Sequence, residues 1–291
     1  MRISFVAALA LVAAGSAYAQ DKPDASTTTS TAPPLFLSAA TCDHPADAQQ
    51  EAADQQAVMD ALHAMNQNGY DALATHLDAL AAVLAHAPAC FPEFEHRGDQ
   101  IIARSEIDAS TGIALVSAVA AQGQSASLVQ GFNIYPYASL LLGSYSDEMH
   151  NFDQGVAWLD KGLALQPHEQ HLVLEKATAL GQLHRFDEQV ALLQAELSDP
   201  VAGLTLDRVR YERNLGVALI DDNRLDDAEA ALRESLRLQP DNPRAQSELD
   251  YIAELRAGRT PTTAAMTQLL PNNAPLPPQL QPQQPQQPQA K

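Results

Sequence analysis

Positive charge is what this chain has least of. Its 291 residues carry 17 Lys and Arg against 36 Asp and Glu, a formal net charge of −19 with neutral His. Nucleic-acid recognition needs clustered cations to neutralise phosphates, so the composition speaks against a nucleic-acid partner. The same acidic surface repels anionic polymers and headgroups. Aromatic residues make up only 5% and β-branched runs are scarce, which turns the expectation from sheet to helix. No segment reaches the roughly 18 apolar residues of a membrane-crossing helix, so no transmembrane anchor is expected. Dinucleotide and phosphate-binding glycine patterns are missing. "GQSAS" at Gly123 to Ser127 lacks the closing Gly of a nucleophile elbow. No catalytic residue and no cofactor is therefore expected.

What is present begins with MRISFVAALALVAAGSAYAQ. A single Arg2, an apolar run from Ile3 to Ala14 and the small-x-small site Ala17-Tyr18-Ala19 predict a signal peptide over residues 1–19, cleaved after Ala19. No Cys stands at the cleavage point, which disfavours a lipid anchor. The predicted compartment is the periplasm, with secretion as the alternative. Removal of the leader leaves 16 basic against 36 acidic residues, a net charge of −20. Export allows disulfides to persist. Cys42 and Cys90, the only two cysteines, flank a helical segment and are expected to pair, closing a loop worth about 4 kcal/mol at most. Free thiols or a metal pair are the rival readings, and neither a CxxC spacing nor a nearby His cluster supports them. Residues 20–40 form a Ser/Thr/Pro-rich linker and residues 259–291 a Pro/Gln-rich tail, both expected to be disordered.

Between these ends the chain repeats itself. "NFDQGVAWLDKGLALQP", Asn151 to Pro167, returns 73 residues later as "RLDDAEAALRESLRLQP", Arg224 to Pro240, with seven of seventeen positions identical. A third copy, "RFDEQVALLQAELSDP" at Arg185 to Pro200, stands 34 residues after the first and 39 before the last. The five extra residues predict an insertion near Ala202 to Leu206. A period near 34 with two helical patterns per unit marks a supersecondary unit stacked on its own copies. Leu142, Gly143, Ser146, Gly155, Leu159, Gly162 and Pro167 in the first copy, and Leu215, Gly216, Leu219, Ala228, Leu232, Ser235 and Pro240 in the last, resemble the tetratricopeptide repeat (TPR) pattern. Ser146 stands where a Tyr is usual, Leu159 and Leu232 where an aromatic is usual, and Lys176-Ala177 where Leu-Gly is expected.

The resemblance implies an all-α fold, an α-solenoid of antiparallel helix pairs. Repeats fall at about 136–169, 170–203 and 209–242 within a domain of 131–258, closed by a capping helix over 243–257. Upstream, residues 41–130 are expected to hold a degenerate repeat, with helices at Ala46 to Met65 and Tyr70 to Ala85. Two more helices are expected at about Gly98 to Ile107 and Gly112 to Gln122.

In this family the first helix of each repeat lines a groove for a protein or peptide. The matching positions here are Tyr137, Leu140, Ser144, His171, Leu174, Thr178, Arg210, Arg213 and Val217. Arg210 and Arg213 stand out against the acidic background, since a guanidinium fork suits a carboxylate; pairing with Glu212, Asp207 or Asp250 is the competing role. Other motifs weigh less. His168 and His171 form an HxxH spacing without a catalytic acid or an evident third ligand, so no metal is expected. Arg97-Gly98-Asp99 matches an adhesion tripeptide of a length that arises by chance. Asp221-Asp222 and Asp226-Asp227 lack a calcium loop. The expected function is a non-catalytic scaffold or adaptor. The alternatives are a structural subunit of an envelope secretion, pilus or cell-wall assembly, and an enzyme with its site in residues 42–130.

Overall fold

The computed structural model describes residues 39–43, 47–104, 109–121, 123–199 and 206–258. The expected signal peptide, nearly all of the expected 20–40 linker, the expected tail and residues 202–205 of the expected insertion lie outside the described residues.

The repeats show themselves first in the backbone. Among the described residues, three that are not glycine have positive φ: His150 (59°), His184 (56°) and Asn223 (58°). They are spaced 34 and 39 apart, the same intervals as the sequence copies. Each ends a first helix with the same pair of hydrogen bonds, from His150 N to Asp147 O and Asn151 N to Ser146 O, then His184 to Gly181 and Arg185 to Leu180, then Asn223 to Ile220 and Arg224 to Leu219. Such left-handed closures satisfy helix-end carbonyls and turn the chain sharply. They separate α4 (Ile134–Glu148) from α5 (Phe152–Leu165), α6 (Gln170–Gln182) from α7 (Phe186–Ser198), and α8 (Arg208–Asp221) from α9 (Leu225–Leu238). The capping helix follows as α10 (Pro243–Arg256), where Asn242 accepts from the Arg244 and Ala245 amides.

Small residues let the paired helices meet. A Cβ on Gly143 would lie 2.7 Å from Leu159, and one on Gly216 2.5 Å from Leu232. Both leucines are fully buried, so neither can yield without opening the core. The first helices also touch one another along the stack, α4 to α6, α6 to α8 and α8 to α10. The result is a TPR-like α-solenoid of antiparallel helix pairs. Its largest apolar core runs from Val173 on α6 through Tyr211 and Leu219 to Ile252 on α10.

Upstream, α1 (Ala48–Asn68) turns at Gly69 (φ 77°). The expected second helix divides into a 3-10 turn (Tyr70–Thr75) and α2 (Leu77–Ala85). Val58, Leu73, Leu80 and Val83 pack against Tyr135, Ala138 and Leu142 of α4, as a preceding repeat would. The Cys42–Cys90 disulfide closes this hairpin across 48 residues.

Over its described part, residues 98–104, the helix expected at about Gly98 to Ile107 is not formed. Strands β1 (Phe94–Arg97) and β2 (Gln100–Ala103) stand there instead, paired antiparallel with Arg97 opposite Gln100. Gly98 has φ 64°, the left-handed conformation a two-residue hairpin turn demands. After α3 (Ala109–Ala121), which meets the second expectation, β3 (Ser127–Gln130) joins β2 in parallel. Glu95 on β1 is buried. Burial alone would raise its pKa, but hydrogen bonds from Arg97 (2.8 Å) and Arg104 (2.5 Å) hold it below the usual carboxylate range. Arg97 also reaches Glu51 on α1 at 3.1 Å, which gives the Arg-Gly-Asp tripeptide a structural role.

Candidate functional site on the first-helix row

Seven of the nine predicted groove residues divide between two hollows. Leu174 and Thr178 of α6 line a cleft of about 470 Å³ together with Arg210 and Arg213 of α8. Glu175, Asn214 and Arg244 complete its polar wall. Tyr137, Leu140 and His171 border a separate hollow near Asn133 and Glu169. There the Tyr137 ring stacks on Phe132 at 5.2 Å, and His171 Nδ1 lies 2.9 Å from Glu169. Ser144 and Val217 are buried, and the Ser144 hydroxyl donates to Glu175 Oε1 at 2.5 Å. Neither lines either hollow.

None of the three acids suggested as partners for Arg210 and Arg213 holds a guanidinium of theirs. Glu212 pairs with Arg208 at 3.3 Å, Asp250 accepts from Gln246 at 3.0 Å, and Asp207 caps α8 by accepting the Arg210 amide at 3.1 Å. Arg213 is only 8% exposed, and its Nε has no hydrogen-bond partner among the described residues. Burial lowers its pKa, the positive charges of Arg244 and Arg210 lower it further, and the carboxylates of Asp207 and Glu248 offset only part of this. A guanidinium in this condition is costly, because a buried donor without an acceptor loses its hydration with no return.

Arg244 was absent from the sequence-based set. The repeat interval places Tyr137, His171, Arg210 and Arg244 at one register, 34, 39 and 34 residues apart. Continuing the register into the capping helix would have found it.

A second recess, of about 460 Å³, joins the β-module to the first repeat and is lined by Glu93, Arg104, Asn133, His168 and Glu169 among others. Its titratable groups are engaged in pairs. Arg104 bonds Glu95 and stacks over Phe91 at 3.7 Å. His168 Nδ1 lies 3.1 Å from Glu196. The HxxH histidines thus turn to different carboxylates, and His168 precedes α6 rather than sharing its face. No group of three His, Cys, Asp or Glu among the described residues is placed to hold a metal ion, and no helix among them is long and apolar enough to cross a membrane.

No protein-family model and no curated protein matches the chain. Solved structures similar to it include the MamA RS-1 ArsTM double mutant, 13% identical, covering 74% of this chain and 88% of that one with a TM-score of 0.45. MamA AMB-1 C2221 is 17% identical, covering 73% and 91%, with a TM-score of 0.41. TTC0263, a thermophilic TPR protein in Thermus thermophilus, is 15% identical, covering 69% and 99%, with a TM-score of 0.33. At these scores the likeness carries no weight. The repeat assignment rests on the in-register turns, the helix pairing and the close approaches at Gly143 and Gly216.

Proposed function

We propose that the chain is a non-catalytic, exported protein-interaction scaffold that holds a protein or peptide segment along the row of first helices α4, α6, α8 and α10. The observation that carries this reading is the cleft spanning α6, α8 and α10, whose lining side chains differ from repeat to repeat while the glycine–leucine contact between paired helices recurs at Gly143 with Leu159 and Gly216 with Leu232. Stacking leaves the second helices with shared packing duties, so recognition falls to the other helix of each pair. A disulfide at Cys42–Cys90 and a leader with an Ala17-Tyr18-Ala19 site support periplasmic residence.

The test is site-specific photo-crosslinking in the producing cell. A photoreactive residue at Leu140 or Thr178 should give a discrete adduct with a second polypeptide, and one at Gln194 or Ala230 on the second helices should not. Adducts of equal yield from both sets, or from the second helices alone, would remove the reading.

A further inference from the structure

We propose that the cleft between α6, α8 and α10 is an oxyanion site that takes the side-chain carboxylates of an acidic stretch within a partner polypeptide, gripped by Arg210, Arg213 and Arg244. The proposal rests on the first-helix row being the binding face and adds the chemistry of what binds there.

Three observations converge. The first is the charge inventory of the cleft. Three guanidiniums line it against two carboxylates, Glu175 and Asp207, and each of those acids already accepts a hydrogen bond, from the Ser144 hydroxyl and the Arg210 amide respectively. Arg208, Arg224, Arg233, Arg237 and Arg256 each form an ion pair. None is formed by the three cleft arginines among the described residues, although the chain holds 36 acidic side chains. A protein this acidic leaves arginines unpaired at some cost.

The second observation is Arg213 itself, more than nine-tenths buried and with an unpartnered Nε. A bound carboxylate supplies the missing acceptor, and a planar guanidinium donates two parallel hydrogen bonds to its oxygens. The third is geometry along the stack. Arg210 and Arg244 occupy the same register in successive first helices, so they present charge at the repeat spacing, and the buried Arg213 lines the same cleft.

Three cations spread along a cleft of about 470 Å³ suit two or more carboxylates on one chain better than a single compact anion. Thr178, Asn214 and Gln239 at the rim add polar side chains beside an extended backbone. The site needs no free chain terminus, because side-chain carboxylates meet all three guanidiniums.

The experiment is calorimetric titration of the full chain at low salt with an acetylated, amidated peptide, Gly-Glu-Glu-Gly-Glu-Glu-Gly. The Gln-for-Glu counterpart and inorganic phosphate run as separate arms. The Glu peptide should bind and weaken steeply with added salt, while the Gln peptide should not bind. Arg213→Gln and the exposed-site variant Arg244→Gln should each weaken it about tenfold or more, with unchanged circular dichroism for Arg244→Gln in case Arg213→Gln disturbs folding. Equal affinity of wild type and Arg244→Gln, or equal affinity for the Glu and Gln peptides, would overturn the proposal. Phosphate binding the same arginines more tightly than the Glu peptide would also overturn it. Loss of the peptide with retained crosslinking at Thr178 would sink the acidic-ligand inference alone, whereas loss of crosslinking would sink the binding face itself.

Discussion

At one crossing point, three repeats solve the same packing problem with the bulk placed on opposite helices. Asp147 of α4 meets Gly155 of α5, Gly181 of α6 meets Gln189 of α7, and Ile220 of α8 stands at the same register as Ala228 of α9. A Cβ on Gly155 would sit 1.9 Å from Asp147 Oδ1, and one on Gly181 3.0 Å from Gln189. Each crossing thus holds one large and one small side chain. Gly155→Gln should therefore cost about 1–3 kcal/mol in urea unfolding, and adding Asp147→Gly, which copies the second repeat, should recover most of it. Additive losses in the double variant would refute the exchange. Asp147 carries a second consequence. Both its oxygens are buried without hydrogen-bond partners among the described residues. Burial, with the Glu175 charge adding, pushes its pKa up to about 7 from the ordinary carboxylate value of 3.8. The unfolded carboxyl releases its proton first as pH rises, so stability should fall between about pH 4 and 7 and level off above. Asp147→Asn should flatten that decline, by up to about 3 kcal/mol at pH 8. An unchanged pH profile of stability would contradict the assignment.

At the scale of elements, the left-handed turns are the sharpest test of the repeat geometry. Asn tolerates positive φ and a β-branched residue does not, so Asn223→Val should destabilise by about 1–2 kcal/mol, read from the unfolding midpoint. The helix pairs were legible because a period of 34 repeats both small residues and leucines, and three copies reinforce one another. The β1–β2 hairpin was not. Phe94 to Arg97 and Gln100 to Ala103 are only four residues each, and Glu95 and His96 break the apolar alternation that announces a strand. Glu95 is buried for its ion pairs with Arg97 and Arg104, a tertiary reason that no local window contains. The Gly98-Asp99 pair was the one local signal, since Gly followed by Asp is a hairpin turn sequence. For the site, Arg210 and Arg213 were legible by register, but their lack of partners depended on where Glu212 and Asp250 point. Arg244 was hidden by its place in a helix read only as a cap.

For the whole molecule, the β-module and the hairpin of α1 and α2 act as the N-terminal end of the stack. A buried hydrogen bond from Gln166 to the Phe91 carbonyl at 3.1 Å fastens them to the first repeat, and Asn133 and Gln166, at the ends of α4 and α5, exchange hydrogen bonds at 2.8 and 2.9 Å that hold Gln166 in place. The edge-on contact of Phe91 with Tyr135, at 4.7 Å, lies beside them. Cys42 and Cys90 brace the same junction, and replacing both with Ser should cost about 2–4 kcal/mol, measured against the oxidised wild type. With one end braced and the other capped by α10, the row of first helices is presented as a fixed surface. The most direct measurement of the central claim is amide hydrogen exchange on the chain with its crosslinked partner bound. Added protection confined to α4, α6, α8 and α10, strongest around Thr178, Arg213 and Arg244, is the predicted result. Protection centred on α5, α7 and α9 would contradict the account.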